Sequence, residues 1–171
     1  MDVKKKTVTA YFEADHDRLD LLLKNFIALK DENFAIAKPF FKTFLQGLKR
    51  HIVWEEDVLF PAFELKTGIR DAGPTAVMRF EHREIGQALE ALHDKVRRAD
   101  AACEAETSRL IELLGAHNQK EEQVLYPSLD SQLDEGEAAE IFRAMEAIPA
   151  ERYITLHYLL RWSASSLIKQ H

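Results

Sequence analysis

His51-Ile-Val-Trp-Glu55-Glu-Asp-Val-Leu-Phe-Pro61 and His117-Asn-Gln-Lys-Glu121-Glu-Gln-Val-Leu-Tyr-Pro127 are two versions of one segment, set 66 residues apart. The His, the two consecutive Glu, the Val-Leu pair and the Pro are retained at both positions. A repeat of this length governs how the rest of the chain is read. The same offset carries His16 onto His82, so three chemical positions recur in register: His16/His82, His51/His117 and Glu55/Glu121. Glycine and proline are scarce between them, and apolar residues recur at helical rather than alternating spacing. The repeating unit is therefore read as a helical hairpin, present twice.

Outward from the repeat, a first helix is expected over residues 9–30, with Leu19, Leu22, Leu23, Phe26, Ile27 and Leu29 as its apolar stripe. A second is expected from Pro39, which suits a first helical position, to Lys66. Two more are expected over 75–99 and 102–126, and two shorter ones over 135–147 and 150–169. Pro61 and Pro127 should kink or end their helices, because each removes a backbone donor. The fold class is thus all-α: an up-down-up-down four-helix bundle over 1–130, with additional C-terminal helices over 131–171. The extension carries Tyr153, Ile154, Leu156, Leu159, Leu160, Trp162 and Leu167 as an apolar stripe that either packs on the bundle or forms a homodimer contact.

Successive histidines are separated by 35, 31 and 35 residues, and the midpoints fall near Asn33, Lys66 and Ala99, where turns are expected. Residues equidistant from the turn of an antiparallel hairpin lie at one height, so His16, His51, His82 and His117 should share a layer. Glu55 and Glu121 follow their histidines at i+4 and face the same way. Six such groups facing inward would be a costly core unless paired or metal-bound. A dinuclear metal site resolves the conflict, since imidazole and carboxylate suit iron, with zinc or manganese as alternatives. Two ferrous ions set four positive charges against two carboxylates, and an oxo or hydroxo bridge would offset the charge added on oxidation. Glu56 and Glu122 also repeat, but point about 100° away from the ligand face, so they are read as solvated or as partners of the ligands. Phe12, Trp54, Phe60, Phe63, Phe80 and Tyr126 are read as core, some walling the metal cavity; His93, His157 and His171 as surface or packing residues.

The bulk properties narrow the function classes. A chain of 171 residues fits one core, and a net charge of −6 argues against nucleic acid as a partner. No run approaches the roughly 18 apolar residues of a membrane span. Lys4, Lys5 and Lys6 are not followed by the apolar stretch of a secretory signal, so a cytoplasmic location is expected. Cys103 is the sole cysteine, which excludes an intramolecular disulfide and thiolate clusters.

Over about residues 9–130 the sequence resembles the hemerythrin family, the HHE cation-binding domain. The resemblance is carried by His16, by His51/Glu55 with Val58-Leu59-Phe60-Pro61, by His82, and by His117/Glu121 with Val124-Leu125-Tyr126-Pro127. It implies a four-helix bundle with two irons, bridged by Glu55, Glu121 and an oxygen atom, with His16 and His51 on one iron and His82 and His117 on the other. Oxygen-carrying members have a fifth histidine where this chain has Gly86, so a 3:2 set of imidazoles becomes 2:2 and space should open beside the second iron. The repeat-related Asp20 could reach the first iron or face water. The 2:2 set is similar to that of bacterial repair-of-iron-centres proteins. Three functions remain open: binding or sensing of O2 or NO, an enzyme that reduces NO or peroxide or repairs iron centres, and a structural or storage metal site.

Overall fold

Thr7 starts the first helix by accepting the N–H of Ala10 on its hydroxyl, and Asn33 starts the second by accepting that of Ile36. The computed structural model describes residues 6–154. Four long helical rods run up and down: α1 (Val8–Leu29), α2 (Phe34–Trp54) continued by α3 (Phe60–Thr67), α4 (Pro74–Arg97), and α5 (Glu104–Lys120) continued by α6 (Tyr126–Asp130). Two shorter helices follow, α7 (Glu135–Glu146), opened by an Asp134/Glu137 capping box, and α8 (Glu151–Ile154). The architecture is the all-α bundle with added C-terminal helices that the repeat implied. None of the helices among the described residues is long and apolar enough to cross a membrane.

Two local expectations are corrected. Helix α2 begins at Phe34, not Pro39, because the Asn33 cap outweighs the one hydrogen bond that Pro39 forfeits inside the helix. Pro61 and Pro127 do not end their helices. Each is preceded by a π turn, Glu55–Leu59 and Glu121–Leu125, whose wider ring accommodates the proline, and the path continues to Thr67 and to Asp130. The second connection lies at 68–73, next to the midpoint at Lys66 as expected, with Gly68 (φ 73°) in the left-handed conformation that closes a helix and Gly73 (φ 82°) leading into Pro74.

Two apolar clusters flank the histidine layer along the bundle axis. One joins Phe26, Phe41, Phe44, Leu89, Leu92 and Leu110; the other joins Phe12, Leu59, Phe60, Tyr126, Leu129 and Phe142. The second cluster takes in α7, whose Ile141, Phe142 and Met145 are buried, and Phe142 meets Tyr11 edge-on at 5.1 Å. Burying one such aromatic or leucine contributes roughly 1.5–3 kcal/mol, so each cluster is a substantial clamp. The ring closes where α6 meets α1: Asp130 accepts the N–H groups of Val8 and Thr9 and the hydroxyl of Thr9 at 2.6–2.9 Å. Phe80, expected in the core, is 54% exposed and covers the outside of α4. His93 is half-buried against Phe41. The C-terminal stripe beyond Ile154, with His157 and His171, lies outside the described residues.

Candidate metal centre

Each hairpin contributes one histidine per rod, and the two meet tip to tip. His16 Nε2 lies 3.0 Å from His51 Nε2, and His82 Nε2 lies 3.2 Å from His117 Nε2. The Nδ1 atoms are each held by a carboxylate: His16 by Glu122 (2.6 Å), His51 by Asp15 (3.0 Å), His82 by Glu56 (2.8 Å) and His117 by Glu81 (3.0 Å). A carboxylate at Nδ1 fixes the N–H there and aims the bare Nε2 lone pair inward, the arrangement that orients metal-binding imidazoles. Two bare lone pairs 3 Å apart repel unless something positive sits between them.

Glu55 and Glu121 complete the layer, both fully buried. Glu55 Oε2 lies 3.1 Å from His82 Nε2 and 3.7 Å from His51 Nε2; Glu121 lies 3.0 Å from His117 Nε2 and 3.4 Å from His16 Nε2. Each carboxylate thus reaches one imidazole of each pair, as a group spanning two cations would. Oε2 of Glu55 and Oε1 of Glu121 are buried without a hydrogen bond. The ligand atoms fall into two compact groups, Glu55/His82/His117/Glu121 and His16/His51/Glu121, every atom within 4.8 Å of the others in its group. Ligand atoms about 2.1 Å from one ion at a right angle are about 3.0 Å apart, so the imidazole pairs have the spacing of neighbouring ligands. The residues fit a pair of cations with nitrogen and oxygen ligands.

The electrostatics agree. Burial would lower the His16 pKa, but hydrogen bonding and charge from Glu121 and Glu122 outweigh it and raise the value to about 9. His82 is raised to about 10 as Glu55 and Glu56 overcome its burial. Burial pushes Glu121 up, yet His117 and His16 hold it well below the usual carboxylate range. The layer therefore demands positive charge, supplied by protons when no metal is bound and released when one binds.

Tyr126 was not singled out from the sequence as part of the site. Its Oη is 2.6 Å from Glu55 Oε1 and 2.9 Å from Glu121 Oε2, and burial together with these two carboxylates pushes the phenol well above its usual value. Asp15 and Glu81 were also missed, although they sit at the repeat offset as a conservative acidic pair. Asp20 is exposed and stands beside the layer, outside both ligand groups. A small cavity of about 10 Å3, enough for one water-sized molecule, abuts His16, His51 and His117 and is walled by Leu19, Phe44, Leu48, Ile52, Ile85 and Leu114. Asp20 and Asn118 also line it, and Gly86 is not among its lining residues.

Comparison with known proteins gives a consistent answer. The chain is 35% identical over 91 residues to the iron-sulfur cluster repair protein YtfE of Edwardsiella ictaluri, covering 48% of this chain and 41% of that protein. It is 33% identical over 91 residues to the protein of the same name from Escherichia coli, with the same coverage. The chain thus spans about two fifths of the length of these curated relatives. No solved structure matches it significantly. The family model of the hemerythrin HHE cation-binding domain matches residues 7–129, and the chain belongs to that family.

Proposed function

We propose that the chain holds two iron ions in this layer and presents them to a small diatomic ligand, O2 or NO. His16 and His51 would hold one ion and His82 and His117 the other, with Glu55 and Glu121 spanning both. The observation that carries the reading is the small apolar cavity set directly against three of the imidazoles. Ferrous ions, when bound, supply the electrons and exchangeable coordination positions that such ligands use. The chain's own residues do the rest: Asp15, Glu56, Glu81 and Glu122 fix the four imidazoles, and the leucine, isoleucine and phenylalanine walls exclude water while admitting a neutral diatomic. The family and the names of the curated relatives support iron as the metal.

Anaerobic purification without added metal, followed by metal analysis, should give two irons per chain, and reduced protein mixed with O2 or NO should develop a new absorption band. Zinc alone, with iron unable to replace it, would overturn the proposal, as would silence toward both gases. A second reading, an enzyme that reduces NO or peroxide or that serves iron-centre repair, is favoured by Tyr126, whose hydroxyl donates to both carboxylates inside the layer. Turnover with NO or peroxide separates the two readings.

A further inference from the structure

A second cavity, of about 420 Å3, opens on the outer side of the first hairpin between α1, α2 and the start of α8. Its lining includes two guanidinium groups, Arg18 and Arg50, with Thr43, Gln46 and Tyr153, and no carboxylate among the described residues. Both arginines lean on one anion set behind them, Asp15: Arg18 Nε donates to its Oδ1 at 2.9 Å, and Arg50 Nη2 lies 3.6 Å from the same oxygen. Asp15 also accepts the Nδ1–H of His51, so a single carboxylate is shared among three donors. The cavity wall consequently carries excess positive charge. Nε of Arg50 is left without a hydrogen-bond acceptor, and Nη2 of Arg18 is held only by its ion pair with Asp15 Oδ1 at 2.8 Å. The arrangement also depends on Gly47, since a Cβ there would stand 2.9 Å from Arg18 Nη2 and 2.7 Å from Leu19. A glycine inside a helix costs about 1 kcal/mol relative to alanine, and here its benefit is the room it gives the guanidinium.

We propose that this cavity is a binding site for a phosphate-bearing small molecule, electrically linked to the metal layer through Asp15. A phosphate group offers several oxygens to two forked donors, which a single carboxylate cannot serve together. The volume lies within the range of small-molecule sites and exceeds what inorganic phosphate needs, so Gln46 and Tyr153 remain for the rest of the ligand. The repeat sharpens the case. At the positions related to Arg18 and Arg50 the second hairpin has Glu84 and Ala116, so the site belongs to one half of the molecule only. An anion that draws the guanidiniums toward itself loosens their hold on Asp15 and leaves that carboxylate to His51. The counterpart of Asp15, Glu81, is paired with Lys120 and His117 and does not line this cavity.

Calorimetric titration of the full chain with inorganic phosphate, AMP and citrate tests the site. Saturable binding of the phosphate probes is expected, weakened at least tenfold in Arg18→Gln and in Arg50→Gln. Both arginines are more than one-third exposed, so the variants should keep the wild-type helical circular dichroism. Tighter binding of AMP assigns the ligand to phosphate esters, and equal binding to free phosphate. No heat with either phosphate probe, tighter binding of citrate, or unchanged affinity in both variants would overturn the proposal. The link to the layer is read by imidazole nitrogen NMR on zinc-loaded chain titrated with AMP: the His51 Nδ1 resonance should move and that of His117 should stay. Equal movement, or none at saturation, would overturn the link.

Discussion

Tyr126 is where the twofold repeat stops being symmetric. Its counterpart, Phe60, lies stacked on His82 with ring centres 5.6 Å apart and has no hydroxyl to offer. Of the two, Tyr126 alone hydrogen-bonds Glu55 and Glu121. Tyr126→Phe should retain metal binding and lower the stability of the metal-free chain by about 1–3 kcal/mol in urea unfolding, with a smaller loss in the loaded chain. An equal loss in both forms would mean that the hydroxyl does not act on the carboxylates. Glu121→Ala should reduce the metal count of the proposed two-ion layer, because Glu121 belongs to both ligand groups. Asp15 adds a pH signature. Burial alone would raise its pKa, but His51 and Arg18 hold it at about 2, below the ordinary value of 3.8. The folded state therefore binds that proton more weakly than the unfolded state. The resulting stability is complete above about pH 4 and is lost as pH falls toward 2. Comparing urea midpoints from pH 6 to pH 2, Asp15→Asn should show a shallower acid decline than the wild type.

The π turns explain how Tyr126 reaches Glu121 at all. Five residues along an α-helix would carry it about 140° from the ligand face. The π ring instead pairs the N–H of Tyr126 with the C=O of Glu121 and stacks one residue over the other. The same ring joins Phe60 to Glu55. Reading at a 3.6-residue period finds the rods and the i, i+4 ligand pairs, and it places Tyr126 in the core without its contacts. The only visible sign of the extra residue was a proline at the same offset in both repeats. That sign was legible, but it pointed equally to a helix stop. Phe80 departs for a related reason: an aromatic in an amphipathic helix is expected to face inward, whereas the inward positions of α4 are taken by Met78, His82, Ile85 and Leu89. Termini depend on partners far away in sequence. The first turn of α1 is capped by Asp130, more than 120 residues on, which no local pattern shows. Asp130→Ala should cost about 1–2 kcal/mol in urea unfolding while leaving the metal count unchanged.

Across the whole molecule, a buried polar layer lies between two apolar clusters that do not need metal to form. A chelated chain should keep its helical circular dichroism and unfold roughly 5–10 °C lower, because the ligand-free layer loses the stabilisation that bound cations supply. The layer itself was legible from the histidine spacing. Its supporting carboxylates were less so, since Asp15 and Glu81 differ in residue type and Glu56 and Glu122 serve histidines of the opposite hairpin. Those crossed contacts have a further meaning. Glu56 completes His82, Glu122 completes His16, and neither hairpin can finish its own imidazoles alone. A hairpin cut free could recover its missing partners only by meeting another of its kind around a twofold axis. The chain is thus built like a dimer whose two halves are joined end to end, and the covalent link fixes one copy of each half, so a tyrosine and an arginine pair can stand in one half without appearing in the other.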